Sequence, residues 1–275
     1  MMKLADAASY FDQTSVTDPA TGRDLFKCQV ANYDDARRDA NAAYRRVLSV
    51  RPGTIVPGVV RLMGFNWLVG TMEPDGLEEL HRQKYVIQRA STQLKVSTIT
   101  TFLAGTFSSN QWASPNWSKD AKQLDTSSET PQIYDVALPG ALTLSAKSIL
   151  WTTGSAYLVL APHPAASGYI LATCLKLDQT VPAVATIQTR TYNPVAGTYT
   201  TPAGTNINAL RVRWQSLFEY GSQASDRYQE GDVAIALPAG TVATTQTLIT
   251  MLGATYQTLS VLSIGGAVVL HGRLA

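Results

Sequence analysis

Apolar residues follow two different periods along the chain, and the change between them divides it. Near the start, Ala36, Ala40, Ala43, Tyr44, Val47 and Leu48 recur at helical spacing behind Asp34, a residue type suited to capping. They predict a helix over 34–50, ended by Pro52 because the residue before a proline resists helical geometry. Beyond Arg51 the period shortens. Ile55–Val60, Phe65–Thr71 and Lys84–Ala90 read as strands separated by Gly, Pro and Asp turns. Residues 91–131 are rich in Ser, Thr, Asn and Gln and read as a long excursion, yet they hold Phe102, Phe107, Trp112 and Trp117. Aromatics at that density predict packing onto the chain's own core or onto a partner.

Strands resume at Ile133–Leu138, Ser148–Trp151, Tyr157–Ala161 and Tyr169–Leu177. Between Ala185 and Thr201, polar and β-branched residues alternate around the turn Asn193-Pro194-Val195-Ala196-Gly197. Gln188, Arg190 and Tyr192 precede the turn, with Thr198 and Thr200 after it. A hairpin without a strongly apolar face gains little from a core, so it is expected to project and to pair with another chain. From Leu210 to the end the pattern is strand again.

Internal repetition sharpens this outline. Val136-Ala137-Leu138-Pro139-Gly140 recurs as Ile235-Ala236-Leu237-Pro238-Ala239, and each proline lies 15 residues before a glycine, Gly154 or Gly253. Three positions after each glycine stands an aromatic, Tyr157 or Tyr256, and a closing strand begins near Tyr169 or Val268. Gly64, Trp67 and Tyr85–Ala90 form a diverged earlier copy. The glycines lie 90 and 99 residues apart, which predicts β units of under a hundred residues. Glycine supplies the tight turn or bulge entering a strand, and the aromatic fills the sheet interior. The fold class is therefore mainly β, repeated small barrel or sandwich units with one N-terminal helix. The expected divisions are an N-terminal segment 1–50, β units at 51–90, 132–178 and 219–275, the excursion 91–131, and a projecting hairpin and strand at 179–218.

Composition adjusts the picture rather than redrawing it. Apolar residues make up 45% of the chain and charged ones only 15%, against about 25% in an ordinary soluble domain. A Thr- and Ser-rich neutral surface hydrates less strongly than a charged one and suits a protein packed among neighbours. The net charge of +2 advertises neither nucleic acid nor membrane. Arg37, Arg38, Arg45 and Arg46 would share the outer face of the predicted helix, either solvated or facing DNA phosphates or an acidic neighbour. Cys28 and Cys174 read as free thiols of a reducing cytoplasm. No signal peptide or membrane span is expected.

Catalytic constellations do not emerge. His81, His163 and His271 fall near the ends of the repeat units and predict surface or packing roles. No phosphate-cradling glycine loop, nucleophile elbow or dinucleotide fingerprint occurs, so neither an enzymatic activity nor a cofactor is expected. Asp226, Glu230 and Asp232 cluster near a turn that most simply leads into a strand.

With these residues in view, the chain resembles the head-closure (stopper) and neck proteins of tailed bacteriophages. Gly231-Asp232, Gly253, Tyr256 and Val268–Leu270 match their outline of a Gly-Asp turn, a glycine, an aromatic strand and a closing strand. Arg51-Pro52-Gly53, Gly64, Trp67 and Tyr85 match it less fully. The match covers about half the chain. The resemblance implies a virion protein that forms a ring of six or twelve copies, joins the portal or adaptor to tail proteins and narrows the DNA channel. Its length also suits a tail-tube or baseplate component. A receptor- or carbohydrate-binding tail module is the alternative, with Trp112 and Trp117 as stacking platforms.

Overall fold

A computed structural model of the chain describes residues 14–32, 45–73, 83–117, 133–164, 168–213, 231–264 and 266–275. Eighteen of its strands close into three six-stranded barrels. The first is built from β1 (Thr14–Thr17), β2 (Asp24–Asn32), β3 (Arg45–Val50), β4 (Val59–Leu62), β5 (Phe65–Glu73) and β6 (Gln83–Ala90). The second uses β7 (Thr92–Ser97), β8 (Gln111–Trp117), β9 (Ile133–Pro139), β10 (Ile149–Thr152), β11 (Ser155–Pro164) and β12 (Tyr169–Leu177). The third uses β13 (Ala183–Thr189), β16 (Thr205–Arg213), β17 (Val233–Leu237), β18 (Thr247–Met251), β19 (Ala254–Ile264) and β20 (Ala267–Leu274). The remaining pair, β14 (Thr191–Asn193) and β15 (Thr198–Thr200), forms a separate two-stranded sheet.

Every barrel has the same strand order: first, second, third, sixth, fifth, fourth, with the fourth returning to the first. Two three-stranded meanders thus join along both edges, and closure leaves no free edge. The connection between first and second strands differs among the copies. Residues 18–23 make a tight turn there in the first barrel; the second holds a short helix, α1 (Ile99–Leu103), and the third holds β14 and β15.

Period-two alternation fills the barrel interiors. In the first, Cys28, Leu48 and Val50, Val60 and Leu62, Trp67 and Val69, and Ile87 point inward and are buried. In the third, Ala185, Ala209, Ile235 and Leu237, Ile249 and Met251, Tyr256 and Leu270 do the same. The glycine–aromatic spacing has a plain geometric meaning. Gly64, Gly154 and Gly253 each occupy the hairpin turn between a barrel's fourth and fifth strands. Trp67, Tyr157 and Tyr256, the third residue of each fifth strand, are buried. The Trp67 indole N–H donates to the Leu62 carbonyl at 3.2 Å, and the Arg211 guanidinium donates to the Tyr256 hydroxyl at 2.8 Å.

Two compact units divide the chain, one of residues 1–94, 110–145 and 161–174, the other of residues 95–109, 146–160 and 175–275. In the first, Leu68 and Ala90 of barrel one pack with Ala137 and Tyr169 of barrel two, and the Gln88 amide donates to the Ser114 hydroxyl at 3.2 Å. In the second, α1 buries Ile99, Phe102 and Leu103. Thr98 and Thr101 cap its first turn reciprocally, and Asn208 of β16 donates to the Leu103 carbonyl at 2.9 Å.

Three sequence expectations change. The helix expected over 34–50 is strand β3 from Arg45 to Val50, and residues 33–44 lie outside those described. Leu48 and Val50 are both buried on alternating positions, and barrel closure outweighs helical spacing. The excursion 91–131 contains β7, α1 and β8, so it supplies the opening strands of the second barrel. Segment 179–218 likewise supplies β13 and β16 to the third, and the β units therefore span 14–90, 92–177 and 183–274.

Candidate assembly interface

The β14–β15 hairpin is the one sheet among the described residues that is not closed. Its turn is fixed locally. The Asn193 side-chain oxygen accepts from the backbone N–H of Val195 at 3.0 Å and of Ala196 at 3.2 Å, the local bonding that suits asparagine to turns. Gly197 takes a positive φ of 64° and donates to the Asn193 carbonyl at 2.9 Å. Thr191, Tyr192 and Asn193 then pair with Thr200, Tyr199 and Thr198. Where β13 ends, the Thr189 and Thr247 hydroxyls bond at 2.9 Å and the Arg190 N–H donates to the Gln246 carbonyl at 3.0 Å. The hairpin therefore begins from an anchored base.

Its outer surface is aromatic without being buried. Tyr192 and Tyr199 lie opposite each other with ring centroids 5.1 Å apart, and each is about half exposed. The Arg190 guanidinium sits 5.2 Å from the Tyr199 ring centre, a contact worth roughly 0.5–1 kcal/mol at an exposed site. Val195 at the tip is 96% exposed. In the third barrel all neighbouring strands run antiparallel, so its first–second and third–fourth connections emerge at the same end. The hairpin tip thus shares that end with the loop carrying Val242, itself 83% exposed. Neutral, aromatic and apolar groups presented together in this way have the composition of interface cores rather than of ordinary surface.

Of the partner residues expected from sequence, Arg190 and Tyr192 belong to this surface. Gln188 lies on β13 and donates to the Pro202 carbonyl at 3.3 Å. Arg45 and Arg46 are consecutive on β3 and face opposite sides of it, so they do not form one basic face; Arg37 and Arg38 lie outside the described residues. Trp112 is half-buried against the Leu68–Ala90–Ala137–Tyr169 cluster, a packing position rather than an exposed platform. Trp117 ends β8, and its side chain is outside those described.

Sequence reasoning missed one buried polar cluster. Asp232 accepts from His271 at 2.7 Å and from both Nε and an Nη of Arg273 at 2.8 and 2.9 Å. His271 belongs to a sixth strand and His163 to a fifth, so the two are not equivalent. Asp226, Glu230 and His81 lie outside the described residues. The cluster ties the start of β17 to the end of β20, and its carboxylate oxygens are occupied. Both cysteines are free and buried. Burial pushes the Cys28 thiol up to about 12 and also raises that of Cys174.

Among the described residues no helix is long and apolar enough to cross a membrane. No family model matches the chain, and no curated protein or solved structure matches it.

Proposed function

We propose that this chain is a non-enzymatic structural protein that works by assembly, of the kind that forms a ring at the head–tail neck of a tailed phage, between portal or adaptor and tail. The observation that carries the assembly reading is the hairpin. Barrel closure removes every other strand edge among the described residues, whereas β14 and β15 keep theirs beside two exposed tyrosines. Strand addition there would supply main-chain hydrogen bonds, and the tyrosines would supply buried area. The phage setting draws its support from the glycine–aromatic units and the neutral, Thr-rich composition; a virion location and contact with packaged DNA go with it.

Electron microscopy of the purified chain tests the reading. Rings of six or twelve copies are the expected particles. Trimeric fibres, or single particles of one chain at every concentration, would overturn it.

A further inference from the structure

Resting on that assembly reading, we propose that β15 pairs with the β15 of a second copy of this chain, antiparallel about a two-fold axis at Tyr199. Pairing of one sheet edge with another requires a free edge on both partners. Among the described residues a second copy offers such an edge only on its own β14–β15 sheet. The two strands are not equally suited. Antiparallel self-pairing about a central residue sets that residue opposite itself and the two flanking residues opposite each other. Thr198-Tyr199-Thr200 reads the same in both directions, so β15 gives two threonine–threonine pairs around a tyrosine–tyrosine pair, all favourable across strands. Thr191-Tyr192-Asn193 would instead oppose Thr191 with Asn193, whose side chain already serves the turn. Neither strand carries a charge, so self-pairing meets no like-charge repulsion along them. The lysines and prolines with which edges are commonly blocked are missing from both strands.

This geometry limits what the contact can build. A two-fold contact closes at two chains and cannot propagate around a ring. In a ring assembly it joins one ring to another, and six-membered rings paired this way count twelve chains. Three-residue strands bury well under the roughly 1,200 Å² of a stable interface, so a single pair is weak and gains strength by repetition.

Cysteine trapping in the full chain tests the register. The buried native thiols leave an introduced cysteine as the reactive one. Under mild oxidation, Tyr199→Cys should cross-link to itself at least about tenfold faster than a random collision allows. Thr198→Cys and Thr200→Cys should each link poorly to themselves, because identical flanking residues sit on a diagonal of about 7–8 Å, beyond disulfide reach. Mixed together, those two variants should link to each other. Equal self-linking by all three variants, or none by Tyr199→Cys, overturns the two-fold pairing. If Tyr199→Cys fails to link while the intact chain still assembles through its hairpin, self-pairing falls and the assembly reading stands. If replacing the hairpin leaves assembly unchanged, both fall.

Discussion

Met63 and Leu252 take φ values of 51° and 50°, in the left-handed region that non-glycine residues avoid. Each stands directly before the turn glycine of a hairpin, Gly64 at φ 79° and Gly253 at φ 78°. Two consecutive positive φ values define the turn whose twist matches antiparallel strands, and Asn-Gly is its preferred sequence. Met63 and Leu252 are also mostly exposed, so packing does not compensate for the strain. Replacing either by Asn should stabilise the chain by about 0.5–1 kcal/mol, read as a higher denaturant midpoint; an unchanged or lower midpoint would contradict this. Asp232→Ala should act in the opposite direction. It leaves the buried His271 ring without its 2.7 Å partner, at a cost of about 2–3 kcal/mol. A midpoint within error of the parent would show that the cluster does not hold the barrel. The turn glycines were legible in sequence because their spacing to an aromatic is local and repeated. Asp232 and His271 were not, because they meet only through the register of β17 against β20.

At the scale of elements, the readable part was the third to sixth strands of the second and third barrels and the fourth to sixth of the first. Leu138, Leu150 and Tyr157, or Leu237, Ile249 and Tyr256, give large apolar side chains at short spacing. The opening strands were hidden because they bury small residues or few: β1 contributes Val16 and β13 contributes Ala185 to the cores. Their partners lie in distant sequence, and the barrel supplies the burial that their own composition does not announce. β3 was misread for a related reason. Val47 and Leu48 continue the helical spacing of the preceding alanines, and only the barrel reveals that Leu48 and Val50 are the inward pair. The hairpin, in contrast, was legible by its lack of a strongly apolar face, although the expected span of 185–201 was too wide. Ala185 is fully buried in the third barrel, and the free part begins after Arg190.

At the scale of the molecule, one strand order is used three times, and the connection after the first strand takes a different form in each copy. A closed barrel protects its edges and so prevents indiscriminate pairing. On the proposed reading, an exposed hairpin grafted onto such a unit restores a controlled place for pairing. The account stands on that division of labour between closed barrels for stability and the hairpin for assembly. Its most direct test is sedimentation equilibrium on the intact chain and on one in which Thr191–Thr200 is replaced by a short Gly-Ser turn. The replaced segment is exposed throughout, so stability should change by less than about 0.5 kcal/mol. The predicted result is a weight-average mass that climbs with concentration for the intact chain and stays lower for the shortened one, with equal melting temperatures. Identical mass curves, or a shortened chain that melts well below the parent, would contradict it.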